Sequence, residues 1–424
     1  MKTVLKNGNI LSMKSDTIRY FCDLIFEDGR IAEIGKRLPV PEGAQVIDCT
    51  GKYIMPSLFD AHTHLDTCEQ PYLFLANGIT AVRHLSGNPK VLEYDEQVRA
   101  GERRGPYLYS SSPIYDGEAA VDRTNMHIYI STVEQAEQAV YDTINGGYNE
   151  IKLYPSLTTA QFAMILDTAR KCGLKVSGHM SHQTEAKFLC DHGYRSCEHS
   201  SSLPKHLEDC RYLARNGMWL CQTQVVCETL PDYVWKGKKL SDLEFYAYLP
   251  DPLKESWEEE NRTIIEMYKR PDMARVASSA PGGTNPLMRG LAFMECSDRY
   301  MAGCDAGYPG VISGFSLHDE LSRLVELYKA TPYEALRAAT VNPAAYLELD
   351  TKGTLAPGMD ADILVLTANP LADIRSSRSI DCVIQGGRIY ARAELDEMLE
   401  YVRTMPREEF SYINRPRERS KKED

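Results

Sequence analysis

Five short segments of this chain carry side chains that could together bind divalent metal ions. In chain order they contain His62 and His64 in DAHTH, Lys152 in EIKLY, His179 in SGHM, His199 in CEHS and Asp305 in GCDAG. Imidazole nitrogens and carboxylate oxygens are common zinc ligands, and a metal ion lowers the pKa of a bound water so that it can attack a carbonyl near neutral pH. The residue types therefore favour metal-assisted hydrolysis.

These side chains are informative only as a set. His62 and His64 are two residues apart, so both imidazoles would point to the same face of a β-strand. A single histidine such as His179 or His199 is more often a hydrogen-bonded residue of the core. However, each segment ends or follows a short apolar run typical of a buried strand, and a parallel barrel brings its strand ends to one rim. The five segments together predict one metal site.

Lys152 lies between Ile151 and Leu153, which would face the surrounding helices, so its side chain would face the barrel interior. An inward lysine is costly unless it is paired, neutralised or chemically altered. One explanation is an ion pair with a carboxylate inside the barrel. The other is carboxylation by carbon dioxide, which would give an anionic carbamate with two oxygens that can bridge two divalent ions. The residues alone leave both explanations open.

Asp305 is flanked by Gly303 and Gly307, so a substrate or metal could approach the backbone closely. A carboxylate there could bind a metal ion and also accept a proton from bound water. Asp60 and Asp66 flank the His-x-His pair, where we expect them to accept hydrogen bonds from the histidine rings.

Alternating strands and helices are predicted to position these residues, from about residue 56 to residue 349. This alternation is typical of parallel βα units, and eight strand-like runs imply an α/β fold with a closed (β/α)8 TIM-like barrel. The runs are YIMPSLFDAH, GITAVRHLS, PYLYSSSPI, EIKLY, KVSGHM, RSCEHS, WLCQTQVV and YMAGCDAG.

Capping patterns predict where helices of this barrel begin. Ser131, Thr158 and Ser316 are each followed three residues later by Glu, Gln or Asp, and Thr331 is followed by Pro332. One interval, about residues 230 to 290, is too long for a simple link and is rich in charged and aromatic residues. Such an insertion is predicted to form a lid or a wall of the substrate pocket.

Residues 1–55 and 350–395 have the strand and tight-turn pattern of a β domain, with predicted turns at Asn7-Gly8 and Asp28-Gly29. We expect these two stretches to build one small β-sandwich domain beside the barrel domain at 56–349. The remaining residues, 396–424, end in RPRERSKKED and are predicted to be a charged C-terminal tail, exposed to solvent from about Arg403 onward.

Composition limits the partners and the location. A formal net charge of −12 disfavours nucleic acid or an anionic membrane as the main partner. The sequence lacks the apolar core of a secretory signal and any membrane-spanning stretch, and its twelve cysteines contain no CxxC pair. We therefore expect a cytoplasmic protein that acts on a small molecule, and we expect it to be a homo-oligomer.

Taken together, the segments resemble the amidohydrolase superfamily, in its branch with two metal ions and a bridging carboxylated lysine. The resemblance covers nearly the whole chain and includes MPSLFDAHTH, EIKLYPS, SGHMSH, SCEHS, AGCDAG and GTLAPGMDADILVLTANPLADI. Within the superfamily, the chain is most similar to the group around imidazolonepropionases and the prolidase-like dipeptidases that cleave Xaa-Pro and related bonds. Imidazolonepropionase works with one metal and lacks the bridging lysine, so Lys152 favours the prolidase-like side.

This resemblance implies a ligand set for two divalent ions, zinc or alternatively manganese. The first ion would be bound by His62, His64 and Asp305 and the second by His179 and His199, with carboxylated Lys152 between them. Three positions depart from the family pattern without removing a ligand: Ser57 replaces a Gly, His84 an Asp and Cys304 a Thr. Substrate contacts are predicted at four positions: His84, His127, His182 and Tyr154.

The resulting hypothesis is hydrolysis of an amide or peptide C–N bond in a small substrate, a dipeptide or an N-acyl amino acid, by a hydroxide that bridges the two ions. Asp305 would accept the hydroxide proton and pass it to the leaving amine. The first alternative is a cyclic-amide hydrolase or one-metal deaminase of the same superfamily, with Lys152 in a plain ion pair. The second is a catalytically silent scaffold, although such relatives typically lose ligands and all six are present here.

Overall fold

A computed structural model describes residues 2–120, 127–181, 183–234, 236–269 and 285–414. The strands are β1 Thr3–Leu11, β2 Ile18–Glu27, β3 Arg30–Gly35, β4 Gln45–Asp48, β5 Tyr53–Pro56, β6 Leu58–Thr63, β7 Ile79–His84, β8 Tyr107–Gly117, β9 His127–Ile130, β10 Glu150–Leu153, β11 Lys175–Gly178, β12 Ser196–Glu198, β13 Trp219–Cys221, β14 Tyr300–Met301, β15 Ile363–Leu366, β16 Ile380–Gln385 and β17 Arg388–Ala391.

The α-helices within the same described ranges follow the strands in alternation through the middle of the chain. They are α1 Gln70–Ala76, α2 Pro89–Arg99, α3 Val133–Asn145, α4 Thr159–Lys171, α5 Ala186–Asp191, α6 Leu207–Arg215, α7 Gln224–Val234, α8 Asp251–Lys269, α9 Pro286–Met294, α10 Phe315–Glu326, α11 Pro332–Ala338, α12 Val341–Leu347 and α13 Arg392–Arg403.

Parallel strands form the barrel that the sequence predicts. Their hydrogen-bonded order is β6-β7-β8-β10-β11-β12-β13-β14, and β9 pairs with β8 beside this path. The two ends of the row also meet, because the Ala61 amide donates to the Ala302 carbonyl at 2.9 Å and the Asp305 amide donates to the His62 carbonyl at 2.8 Å. The (β/α)8 prediction is confirmed, with each of the eight predicted runs contributing one strand.

Two of the four predicted helix starts are confirmed and two are wrong. Thr158 and Thr331 cap α4 and α11 through capping boxes. The box of α3 begins one residue later than predicted, at Thr132, because the Ser131 hydroxyl donates to Glu118 instead of capping the helix. Ser316 lies inside α10, where its hydroxyl accepts the Ile312 amide.

Both chain ends contribute to one separate mixed sheet, in agreement with the predicted β domain. Its order is β3-β2-β1-β5-β15-β16-β17, and β4 pairs with β1. The predicted turn at Asp28-Gly29 does connect β2 to β3. The predicted turn at Asn7-Gly8 is instead an irregularity within β1, where Asn7 adopts a positive φ of 59° and the strand continues to Leu11.

The long insertion between β13 and β14 covers part of the barrel. Helices α7, α8 and α9 belong to it, while residues 270–284 lie outside the described ranges. Tyr233, Leu249 and Trp257 of the insertion form an apolar cluster with Phe315 of α10. The rings of Phe245 and Phe315 are stacked at 4.1 Å. Among the described residues, no helix combines the length and the apolar composition that crossing a bilayer requires.

The segment that follows α13 returns to the barrel. Met405 is buried, and Tyr412 forms a β-bridge with Thr67 in the loop after β6. The Cys68 amide donates to the Ser411 carbonyl at 3.1 Å. The prediction of exposure is confirmed for residues 403–404, 406–409 and 411, whereas Met405 is buried and residues 410 and 412–414 are partly buried. Residues 415–424 lie outside the described ranges.

Candidate metal centre

The structure brings the predicted metal ligands together at the carboxyl end of the barrel. Asp305 Oδ1 lies 3.3 Å from His62 Nε2 and 3.0 Å from His64 Nε2. The His199 ring centroid lies 4.6 Å from that of His62 and 4.6 Å from that of His179. Side chains at the ends of four strands, β6, β11, β12 and β14, therefore meet in one cluster although these strands are widely separated in the sequence.

Several atoms of this cluster are buried with their hydrogen-bonding capacity unused. Among the described residues, no hydrogen-bond partner outside the candidate ligands themselves is found for His62 Nε2, His179 Nε2, Lys152 Nζ or Asp305 Oδ1. Each buried polar atom left in that state costs about 1–3 kcal/mol, and native proteins contain few of them. Imidazole and carboxylate groups with unused lone pairs fit divalent metal ions, which would remove this cost. His62, His64 and Asp305 could hold one ion.

A hydrogen bond to the Nδ1 atom orients three of the four histidine rings. In each case the partner contacts Nδ1, which leaves Nε2 as the atom directed into the cluster. The pairs are His62 with Glu198 Oε2 at 2.8 Å, His64 with Ser86 Oγ at 2.9 Å and His199 with Thr223 Oγ1 at 2.6 Å. Such partners fix the ring orientation and, for His62, the tautomer that can bind a metal through Nε2.

The prediction that Asp60 orients a histidine ring is not supported. The Asp60 carboxylate accepts hydrogen bonds from the amides of His62 and Cys304 and from the Cys304 thiol. Burial raises the pKa of Asp60 to about 6. The carbonyl oxygen of Asp66 accepts the Ile413 amide, and a contact of its carboxylate with a ring stays a prediction. Glu198 and Ser86 contact the rings of His62 and His64.

A buried ion cluster lies beneath the candidate ligands. Arg83 donates to both oxygens of Glu150, at 2.5 and 2.9 Å, and to Glu198 Oε1 at 2.9 Å. Tyr346 donates its hydroxyl proton to Glu150 at 2.6 Å. Sequence reasoning missed this cluster, although Arg83 in GITAVRHLS and Glu198 in SCEHS are charged residues inside apolar strands, which was the available signal.

Burial lowers the pKa of three basic groups of the cluster, which favours their neutral forms. Burial, together with the neighbouring His62, lowers the pKa of His199 to about 3, and burial lowers the pKa of Lys152 and of His179. Burial alone would raise the pKa of Asp305, but His62 and His64 lower it well below its usual value. Neutral imidazole and ionised carboxylate are the forms that bind metals.

The backbone is strained at two of the ligands. His199 has a φ of 69° and Asp305 a φ of 62°, which is uncommon for residues other than glycine. Gly303, before Asp305, packs so closely that an added Cβ would lie 2.5 Å from the His62 amide nitrogen. Strain and close packing of this kind are often found at functional sites, where the surrounding structure compensates for them.

Of the predicted substrate contacts, two lie beside the cluster. The Tyr154 ring centroid lies 4.3 Å from that of His179 and 4.6 Å from that of His127, so the three rings form a row leading away from the ligands. A cavity of about 1190 Å³ opens next to His179 and is also lined by Leu203 and Arg289. The cavity beside His179 could serve as a substrate pocket.

The other two predicted contacts are not found in such a position. His84 is fully buried, with Nδ1 accepting the Leu65 amide and Nε2 donating to the Ser86 carbonyl, each at 2.9 Å. Both ring nitrogens are therefore used in holding the backbone, and the prediction that His84 contacts substrate is not supported. His182 lies outside the described residues.

Comparison with known proteins identifies similar sequences and folds. A family model, described as the Amidohydrolase family, matches residues 53–390. A D-hydantoinase of Geobacillus stearothermophilus is 47% identical over 66 residues, 16% of this chain and 13% of that protein. A dihydroorotase of Ruminiclostridium cellulolyticum is 43% identical over 129 residues, 28% of this chain and 24% of that protein. The chain therefore spans less than a third of the length of either curated relative.

One solved structure resembles almost the whole chain. It is a Xaa-Pro dipeptidase with bound methionine in the active site, and its TM-score is 0.71 at 20% sequence identity. The match covers 92% of this chain and 100% of that one. At this identity the likeness establishes a common fold.

Proposed function

Since this chain belongs to the amidohydrolase family, we propose that it hydrolyses an amide or peptide C–N bond of a small substrate, in the manner of a prolidase-like dipeptidase. A dipeptide or an N-acyl amino acid is the proposed substrate class. The observation that carries the proposal is the convergence of buried, unpartnered ligand atoms from His62, His179, Lys152 and Asp305 at one end of the barrel.

Two divalent ions, zinc or manganese, are proposed to bind in this cluster. His62, His64 and Asp305 would hold one ion, His179 and His199 the other, and Lys152 would lie between them as a carbamate. When bound, the ions would supply a hydroxide nucleophile near neutral pH and polarise the scissile carbonyl.

The surroundings of Lys152 support the carbamate over a plain ion pair. Glu150 and Glu198, two acidic residues of the barrel interior, are already engaged by Arg83. Among the described residues, no salt bridge or hydrogen bond reaches Lys152 Nζ. Burial lowers the pKa of Lys152, and the neutral amine is the form that reacts with carbon dioxide.

Asp305 is the proposed proton carrier. Its low pKa keeps it ionised and therefore able to accept a proton, and its side chain keeps 12% of its surface exposed at the mouth of the barrel. In the proposed reaction Asp305 accepts the proton of the nucleophile and then donates it to the leaving amine, as one group acting first as base and then as acid. The Nε2 atoms of His62 and His64 lie within 3.3 Å of Asp305 Oδ1.

The proposed substrate pocket is the cavity beside His179. Ligand pockets usually measure about 300–1,000 Å³, and this half-open cavity of about 1190 Å³ is large enough for a dipeptide or an N-acyl amino acid. The Tyr154 and His127 rings continue in a row from His179, which lines the cavity. We propose His127 and Tyr154 as substrate contacts on this basis.

A combined metal and substrate experiment tests the proposal. Purified protein is analysed for metal content and then, loaded with zinc or manganese, is assayed against Xaa-Pro dipeptides, N-acyl amino acids and cyclic amides. About two ions per chain and hydrolysis of a linear substrate would support the proposal. One ion per chain with turnover of cyclic amides alone would favour the alternative, a cyclic-amide hydrolase or one-metal deaminase.

The expected homo-oligomer and cytoplasmic location stay predictions. Sedimentation would test the oligomeric state, and cell fractionation would test the location.

A further inference from the structure

The end of the described chain is attached to the loop that follows the His-x-His strand. The Ile413 and Asn414 amides donate to the Asp66 carbonyl at 2.8 and 3.1 Å, and the Cys68 amide donates to the Ser411 carbonyl at 3.1 Å. The Ser411 amide donates to Cys68 Sγ. These contacts join residues 411–414, hereafter the terminal segment, to residues 66–68, hereafter the first loop.

The first loop begins shortly after a candidate ligand and is held from its inner side by one glutamine. Gln70 accepts the Asp66 amide at 2.6 Å and donates to the His64 carbonyl at 2.9 Å. The terminal segment holds the outer side of the same loop. A short loop between two such supports has little freedom to move, and His64 lies two residues before it.

Asn414 extends this connection to the partner of His64. Its Nδ2 atom lies 3.3 Å from Asp66 Oδ1 and 3.5 Å from the Ser86 carbonyl oxygen. The Ser86 hydroxyl in turn pairs with His64 Nδ1 at 2.9 Å. The terminal segment therefore reaches the backbone on both sides of a candidate ligand, at the first loop and at Ser86.

We propose that the terminal segment is a positioning element of the metal centre, which keeps His64 and Ser86 in the geometry for metal binding. The inference rests on the proposed function, because it takes His64 to be a metal ligand. Backbone groups of Ser411, Ile413 and Asn414 form hydrogen bonds with the first loop. Ordering each residue costs about 1–2 kcal/mol, and these bonds offset that cost at this loop.

A pair of substitutions at Ile413 tests this role in the full chain. Ile413→Pro removes the amide that donates to the Asp66 carbonyl. Ile413→Ala shortens the side chain but keeps the amide, so it is the matched control. A second pair consists of chains that end after Phe410 or after Asn414, which differ only in the presence of the terminal segment.

Two measurements on these proteins are required. The first is hydrogen exchange of the Cys68 amide in metal-free protein, which is independent of catalysis. The second is the affinity for cobalt together with its visible absorption spectrum, which reports ligand geometry. Ile413→Pro and the chain ending at Phe410 should exchange the Cys68 amide about fivefold faster or more than their controls, the factor for one net hydrogen bond. They should also bind cobalt about three- to tenfold more weakly, with an altered spectrum.

The outcomes separate this inference from the proposed function. Equal exchange rates and equal cobalt affinities in the paired proteins would overturn the positioning role while leaving the proposed function intact. If the unmodified protein bound no metal, the proposed function would fail, and the role of the terminal segment at a metal centre would fail with it. Faster exchange with unchanged cobalt affinity and spectrum would also overturn the inference, since the segment would then only support the loop.

Discussion

Replacing Glu198 by glutamine should weaken metal binding by removing the acceptor that fixes His62. Glu198 Oε2 accepts the Nδ1 proton of His62 at 2.8 Å, while Oε1 accepts hydrogen bonds from Arg83 and Ser196. Burial alone would raise the pKa of Glu198, but Arg83 and His62 hold it well below its usual value, so the group is ionised. Glutamine preserves the shape of the side chain but removes this charge.

The expected size of the effect follows from the geometry. In the glutamine variant the side-chain oxygen is expected to stay with the donors Arg83 and Ser196, which turns the NH2 group toward His62 Nδ1. His62 would then be protonated at Nε2, and that tautomer cannot bind a metal. Loss of such a partner typically costs 10- to 100-fold in metal affinity, or about 1.4–2.7 kcal/mol. Activity at limiting metal should fall by the same factor, while saturating metal should restore part of it.

Glu150→Gln provides the matched control. Glu150 belongs to the same Arg83 cluster and carries the same charge, but it contacts Tyr346 instead of a candidate ligand. Both substitutions disturb a buried ion cluster, which can cost up to about 3–5 kcal/mol of the free energy of unfolding. Only Glu198→Gln should also weaken zinc binding beyond that shared loss of stability.

Two experiments measure the loss of zinc affinity and the loss of stability separately. Titration calorimetry with zinc, at a temperature where both variants are folded, gives the affinity. Thermal unfolding of the metal-free proteins gives the stability. Equal zinc affinities for Glu198→Gln and the unmodified protein would refute the tautomer argument. Equal weakening in both variants would show that general damage to the barrel interior is responsible.

Three further outcomes are expected. Asp305→Asn cannot accept a proton, so kcat should fall by about 10²- to 10⁴-fold with an unchanged circular dichroism spectrum, and substantial turnover would exclude its proton-transfer role. Lys152→Ala should lose metal and activity, and added short carboxylic acids should restore part of both; full metal content without rescue would contradict a carbamate. Asp23→Asn should lower the free energy of unfolding by about 1–2 kcal/mol at neutral pH, because Asp23 accepts hydrogen bonds from Lys6 and two amides. Burial raises the pKa of Asp23, but these hydrogen bonds lower it overall. The stabilisation by Asp23 is therefore present above about pH 4 and is lost as the pH falls through the pKa of the folded protein. Urea titrations that show the same loss of stability in Asp23→Asn at about pH 7 and about pH 3 would contradict this.

The barrel and the gathering of its ligands were predictable from sequence because both depend on local periodicity. Eight apolar runs separated by helical intervals imply parallel strands, and parallel strands all end on the same side. His179 and His199 could therefore be placed next to each other from their positions at the ends of two successive runs. The prediction needed no knowledge of side-chain rotamers.

Contacts across the barrel were not predictable in the same way. The partner of His62 is Glu198, 136 residues away, and only the register between strands brings them together. Asp60 is closer in sequence, but two residues along a strand amount to about 6.6 Å, so it lies one layer deeper than the ring. Likewise the charged chain end suggested exposure, whereas the apolar Met405 and Ile413 pack only because the first loop offers them a surface.

The closure of the barrel has a consequence for how the protein is made. The last seam joins Thr63 to Ala306, positions that lie 243 residues apart, and it carries His62 and Asp305 on its two sides. The ribosome synthesises the four histidines before Asp305, so a nascent chain would offer the proposed metal ion only part of its ligand set. The full set would be assembled only after the barrel has closed, and by mass action the bound ion would then stabilise the closed form. Scarcity of the cation during growth should therefore reduce the yield of finished protein as well as its turnover.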